Sequence, residues 1–393
     1  MDVFELDSKY VLPTYARERL AFVKGVNSTL YTESGEDYID FGSGIAVVSV
    51  GHGNARVASV IAKQAGELIH TSNLYHIEPQ ARLAKRLVEC CEIDGRVFFC
   101  NSGAEANEAA LKIARKYGEV DGKPKRYKVI TLEHSFHGRT ISTLKATGQE
   151  SMHNYFGPYP DGFVYAKSLE EVYSSMDEHT VAVMIELVQG EGGVEPFLKE
   201  EIQKLAQELK KRDILLIVDE VQTGVFRSGE MLCSNLYEIT PDVVTLAKGL
   251  AGGVPIGAIV TTLKDVLSPG DHGSTFGGNF LSTRASLETL DILEELKESG
   301  ELDACIIKFE ESLRDIVKEF PNLFEKEVGV GLMRGLRAKS SDIQKEVIKE
   351  ALKNRVIVLK AGRNTVRFLP PLTITKDEMS EGFRRFRAGL EKI

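Results

Sequence analysis

Six short apolar runs, at 96–100, 128–132, 181–187, 214–219, 243–247 and 257–261, alternate with longer stretches of helical periodicity through the middle of the chain. This alternation constrains the fold more than any other feature. Parallel strands cannot be joined by tight turns, so each return needs a crossover, and the crossover helices then cover both faces of the sheet. The pattern predicts an α/β chain with a mostly parallel sheet and ligands beyond the strand ends. A helical run at 281–320, followed by short strands near 356–359 and 366–369, reads as a second, smaller α+β unit. Residues 31–44, with the turn ESGED between strand-like flanks, do not continue the parallel pattern. The chain shows no internal repeat and no low-complexity linker.

Composition narrows the function classes. With 393 residues, 42% of them hydrophobic, the chain can build two domains with sizeable cores. A formal charge of -9 disfavours nucleic acid or an anionic membrane surface as the main partner. No apolar run approaches the ~18 residues of a membrane span, and the start MDVFELDSKY lacks the basic and apolar segments of a signal peptide. Five cysteines, an odd number with Cys90 and Cys91 adjacent, fit reduced thiols and a cytoplasmic location. A metal site is not expected, because His134 and His137 have no obvious third ligand and no C-x-x-C or H-E-x-x-H occurs. The segment GVGLMRG misses the glycine spacing of a dinucleotide loop, and no G-x-x-x-x-G-K-[ST] is present.

Two strand ends carry candidate chemistry. Lys248 follows the apolar run 243–247 and precedes the glycine-rich LAGG, a setting in which partial desolvation favours the neutral amine. A neutral lysine can form a Schiff base. Asp219, after 214–218, supplies an anion that can keep a pyridine nitrogen protonated. Each has a plainer reading alone, Lys248 as a solvated strand end and Asp219 with Glu220 as a cap or surface pair. The segment FFCNSGAEANEAALKIARKY adds a third feature. Ala106, Ala109, Ala110, Ile113, Ala114 and Tyr117 mark one buried face of a helix that starts just after Asn101, Ser102 and Gly103. Its first-turn amides and dipole can take a phosphate. An ordinary capped helix accounts for Ser102 and Glu105, but not for the small Gly103 and Ala104.

The blocks FFCNSGAEANEAALKIARKY, SFHGRT, IELVQGEGGV, IVDEVQTG, LAKGLAGGVPIGA, HGSTFGGN and RFLPPL resemble, in order and spacing, the class III (fold type I) pyridoxal phosphate (PLP)-dependent aminotransferases. Within that family the chain is most similar to the acetylornithine aminotransferases of arginine biosynthesis. The resemblance runs from about residue 10 to the C-terminus and implies a seven-stranded-type, mostly parallel sheet. It also implies an N-terminal segment 1–48 packed with the small domain, a large cofactor domain 49–284 and a small domain 285–393.

The same resemblance assigns roles by position. Lys248 is implied as the cofactor lysine and Asp219 as the partner of the pyridinium. Ser102, Gly103 and Ala104 are implied at the phosphate, Phe136 against the ring face and Gln222 at the ring hydroxyl. Arg139 is implied at the substrate carboxylate, for which its planar two-pronged head is suited. Ser274 and Thr275 are implied to reach the site of a neighbouring subunit, the threonine touching the cofactor phosphate, in a homodimer with a composite site. Arg367 is implied to bind the α-carboxylate of 2-oxoglutarate or glutamate, with Glu191 neutralising it when the ω-amino donor is bound. The implied reaction moves the ω-amino group of N2-acetyl-L-ornithine to 2-oxoglutarate in two half-reactions, with N-succinyl-diaminopimelate, ornithine or a carrier-linked lysine as alternative donors. An aminomutase or decarboxylase on the same fold is a rival, disfavoured by the set of Arg139, Arg367 and Glu191. Two departures bear on this. Ile45 stands where ornithine aminotransferases carry a tyrosine that helps read a free α-amino group, which favours an acylated donor. Ala104 lacks the hydroxyl of the more frequent threonine, leaving its backbone amide for the phosphate.

Overall fold

The computed structural model describes residues 1–393, the side chain of Pro124 excepted. Its centre is a seven-stranded sheet. The strands lie side by side in the order Arg96–Cys100, Gly257–Thr261, Val243–Leu246, Leu215–Asp219, Thr180–Ile185, Lys128–Leu132 and Phe163–Ala166. Consecutive pairs from Val243–Leu246 to Phe163–Ala166 are parallel. Gly257–Thr261 is antiparallel to both of its neighbours. The reason is local. Only a short turn and a single-turn helix, Lys248–Ala251, separate it from Val243–Leu246, and that leaves no length for a crossover.

The central strands read as unbroken β-branched and aliphatic runs because both faces are covered. Thr180–Ile185, Leu215–Asp219 and Val243–Leu246 are buried at every position. Phe163–Ala166, at the sheet edge, is only partly buried and lies outside the apolar runs noted above. The helix Gly103–Tyr117 lies on the sheet through Ala106, Ala109, Ala110, Ile113 and Ala114, and the four alanines allow close approach. Ser102 caps it, its Oγ accepting from the Glu105 amide at 3.2 Å, while Glu105 accepts from the Asn101 amide at 2.7 Å.

The helical run at 281–320 is two helices, Phe280–Glu298 and Glu301–Glu319, broken at Gly300 with φ +77°. A four-stranded antiparallel sheet follows in the order Phe324–Val330, Met333–Ala338, Thr365–Phe368 and Leu359–Ala361. The N-terminal strands Phe22–Val26, Thr29–Thr32 and Asp37–Asp40 form another sheet, completed by Val356–Ile357 from the far end of the chain, parallel to Asp37–Asp40. Phe41, Phe309, Phe368 and Phe383 pack edge to face and tilted between these elements. Among the described residues no helix is long and apolar enough to cross a membrane.

Candidate active site

A cavity of about 380 Å³ opens where the parallel strands end. Its wall collects what each strand delivers just past its last residue. Ser102, Gly103 and Ala104 follow Arg96–Cys100, Phe136 and Arg139 follow Lys128–Leu132, and Glu186 follows Thr180–Ile185. Asp219 closes Leu215–Asp219, and Lys248 follows Val243–Leu246. Gln222 and Glu191 complete the polar lining. Residues separated by up to 146 positions converge here because parallel strands all end on one side of the sheet.

Lys248 has its pKa pushed down to about 8, chiefly by removal from bulk water and next by the Arg367 guanidinium, against the opposing pull of Glu191, Asp219 and Glu186. A useful fraction of neutral amine therefore exists near neutral pH. Asp219, 4% exposed, is held as an acceptor on both oxygens. Oδ2 accepts from Asn107 Nδ2 at 2.7 Å and lies 2.8 Å from His137 Nδ1, and Oδ1 accepts from the Val221 amide at 3.0 Å. A carboxylate has no proton to give, so His137 Nδ1 is the donor of that bond. Asn107 also donates to the His137 carbonyl at 2.7 Å, which ties the helix Gly103–Tyr117 to the SFHGRT turn.

Asn107, His137 and Glu186 were not singled out from sequence as site residues. Asn107 gives one signal, a polar side chain among the alanines of a buried helix face. His137 is the fully buried partner of Asp219. Glu186, 6% exposed, accepts from the Phe136 amide at 2.9 Å, and burial pushes its pKa up to about 7. Glu220, beside Asp219, is neither a surface residue nor part of the cavity wall. It is buried and accepts from the Cys233 and Ser234 amides at 3.0 and 2.7 Å.

The turn at Ser102–Ala104 is tight for a steric reason. A Cβ on Gly103 would fall 2.7 Å from Val221 Cγ1, and a Cβ on Gly138, at φ +141°, would fall 2.9 Å from Ala104 Cβ. Small residues therefore bring the helix N-terminus, the SFHGRT turn and the segment after Asp219 to one point. There the amides at the helix start can take a phosphate. A lysine with a lowered pKa, an anion set deep in the wall, and the half-buried ring of Phe136 on the cavity surface complete a set suited to a phosphorylated pyridine aldehyde.

Arg367 is 2% exposed, although its position at a strand end suits a solvated side chain equally well. Its Nη1 pairs with Glu191 Oε1 at 2.8 Å and donates to Gln222 Oε1 at 3.2 Å. In this structure Gln222 is thus engaged by the arginine. Arg139 is exposed, its guanidinium 5.6 Å from the Phe136 ring centre. Ser274 and Thr275 do not line this cavity, although Asn101, which does, donates through Nδ2 to Ser274 Oγ at 3.1 Å. Thr275 is exposed.

Comparison with known proteins agrees with this geometry. The family model described as "Aminotransferase class-III" matches residues 13–390. The acetylornithine aminotransferase of Wolinella succinogenes is 65% identical over 389 residues, covering 99% of each chain. Among solved structures, the N-acetylornithine aminotransferase of Stenotrophomonas maltophilia is 32% identical with a TM-score of 0.83, covering 99% of both chains. The ornithine aminotransferase of Toxoplasma gondii is also 32% identical, with a TM-score of 0.92 over 99% of this chain and 95% of its own. A strand-end lysine and aspartate facing one cavity, a helix N-terminus beside them and a match along nearly the whole length place this chain in the class-III aminotransferases.

Proposed function

We propose that this protein transfers the ω-amino group of N2-acetyl-L-ornithine to 2-oxoglutarate, giving N-acetylglutamate 5-semialdehyde and glutamate, with pyridoxal 5'-phosphate as its cofactor. The observation that carries this reading is the Arg367–Glu191 ion pair, whose glutamate lines the same cavity as Lys248 and Asp219. An enzyme that alternates between a substrate with a carboxylate at one position and a substrate without one needs a cation that can be covered and uncovered there. A permanently unpaired buried guanidinium would cost several kcal/mol.

The residues divide the work. The amides at Ser102, Gly103 and Ala104 would hold the cofactor phosphate, and Phe136 would pack on the ring. Bound there, pyridoxal phosphate supplies an electrophilic carbon and a ring that takes up negative charge. Lys248 Nζ serves first as the anchoring amine and then as the base and acid that carries a proton to and from the substrate carbon. Asp219, fixed by Asn107, His137 and the Val221 amide, would supply the negative charge that stabilises a protonated ring nitrogen. Arg139 takes the α-carboxylate of the acylated donor, and Arg367 takes that of 2-oxoglutarate or glutamate. Ser274 and Thr275 serve the site of a second copy, Thr275 at its phosphate, which makes a homodimer the working unit. That Thr275 is exposed and does not line its own cavity supports this placement.

The name and 65% identity of the Wolinella succinogenes relative support the acetylated donor. Ile45, which has no hydroxyl to offer a free α-amino group, supports it against ornithine. The test is a panel of N-acetylornithine, N-succinyl-diaminopimelate, N-succinylornithine, ornithine and lysine with 2-oxoglutarate as acceptor. The reading expects N-acetylornithine to show the highest kcat/KM, and preference for ornithine would overturn it.

A further inference from the structure

The loop that carries Glu191 leaves the end of the large sheet, yet it is fastened to the C-terminal one. The Gly362 amide donates to the Glu191 carbonyl at 2.8 Å. The Thr365 hydroxyl and Arg337 Nη2 donate to the Gly193 carbonyl at 3.1 and 3.2 Å. Arg337 is also ion-paired with Glu195, so one guanidinium grips two points of the loop. Packing leaves the main chain no slack. Gly193 has φ +121°, a Cβ there would fall 3.0 Å from the Gly362 carbonyl oxygen, and a Cβ on Gly362 would fall 2.9 Å from the Glu191 carbonyl oxygen.

Arg337 and Thr365 are register partners on adjacent strands, and Arg367 lies two residues beyond Thr365 on the same strand. Both ends of the Arg367–Glu191 ion pair therefore hang from one antiparallel sheet. Thr365 is fully buried and the Arg337 side chain is 11% exposed, whereas the Glu191 side chain is 31% exposed.

We infer that Arg337 and Thr365 are positioning residues that hold the Glu191 main chain at a constant place relative to Arg367, so that uncovering the arginine is a rotation of the Glu191 side chain and not a movement of the loop. Pinning the backbone restricts the counter-ion to a few rotamers, which lowers the entropy cost of its return when the carboxylate substrate leaves. Loosening the clamp lets Glu191 drift from Arg367. The amino-donor half-reaction then weakens, while the glutamate half, which needs the arginine bare, is spared.

This inference rests on the reading of Glu191 and Arg367 given above, and the experiment separates the two. Single-turnover rates with N-acetylornithine and with glutamate, followed by cofactor absorbance, are measured for Thr365→Val, Arg337→Gln, Arg337→Lys and Glu191→Gln, each with a thermal melt. Thr365→Val and Arg337→Gln should lower the donor-to-glutamate rate ratio roughly fivefold to tenfold, the scale of one lost hydrogen bond. Arg337→Lys, which keeps a cation for Glu195, should restore part of it. If Glu191→Gln changes the ratio and the clamp variants do not, the clamp is refuted and the switch stands. If Glu191→Gln leaves the ratio unchanged, the switch reading fails and the clamp with it. Equal slowing of both halves, with or without a lower melting temperature, marks Arg337 and Thr365 as structural only and overturns the inference. Thr365→Val removes one oxygen and decides the matter should Arg337→Gln not fold.

Discussion

Arg367 Nη1 stands 2.8 Å from Glu191 Oε1, and the two ends of this ion pair differ in freedom, the arginine side chain 3% exposed and the glutamate 31%. A fixed cation with a movable counter-ion predicts asymmetric mutants. Arg367→Ala should chiefly damage the 2-oxoglutarate half-reaction, by roughly a hundredfold or more for the loss of a buried charged partner. Glu191→Ala should weaken N-acetylornithine relative to glutamate and raise activity toward substrates with a carboxylate at that end. Equal slowing of both halves by Glu191→Ala, read from single-turnover cofactor absorbance, would sink the switch.

Lys248 should be the residue that carries the cofactor. Borohydride reduction of the yellow protein followed by peptide mapping is expected to place the pyridoxyl group on Lys248 and on no other lysine. Lys248→Ala should abolish turnover yet still bind some cofactor through the Ser102–Ala104 turn and Asp219. Because the Lys248 pKa is lowered to about 8, the neutral amine becomes the major form as pH rises through that value. The rate at which cofactor-free protein couples to added pyridoxal phosphate should rise with pH and level off above about 8. A flat profile would contradict the lowered pKa.

At Asp219 charge should matter more than shape. Asp219→Asn keeps the volume and removes the anion, so the proton-transfer step should slow by a factor corresponding to ~3 kcal/mol or more. His137→Phe, which leaves Asp219 short of one donor, should slow the same step by a smaller factor and shift the absorbance of the bound cofactor. Pre-steady-state rates decide both, and a loss of less than tenfold in Asp219→Asn would exclude the charge role.

Glu186 faces His137, Asp219 and Lys248, and burial raises its pKa to about 7. Between about 4.5 and 7 the folded protein therefore binds more protons at this site than the unfolded chain, and its contribution to stability falls as pH rises through that window. Glu186→Gln stays neutral throughout. The melting temperature of wild type relative to Glu186→Gln should drop between about pH 5 and pH 8. A constant difference would show that Glu186 does not change protonation there.

How much of this was legible before folding depends on the range of each interaction. The six apolar runs, the alanine face of Gly103–Tyr117 and the strand-end placing of Asp219 and Lys248 are local properties, written in periods of residues along the chain. The sequence by itself determined these, together with the α/β class. The direction of Gly257–Thr261 also has a local cause, a connection too short for a crossover, but the run itself looks like its parallel neighbours and does not show it. Phe163–Ala166 carries only a weak apolar signal, because an edge strand is buried only in part. Only the tertiary structure could bring Asn107 and His137 to Asp219, across 112 and 82 residues, or turn Glu186 into the cavity. It alone also decided that Arg367 is buried and that its counter-ion hangs from the same sheet. A side chain's partners, and hence its charge state, are set by residues far away in the chain, and no local pattern encodes them.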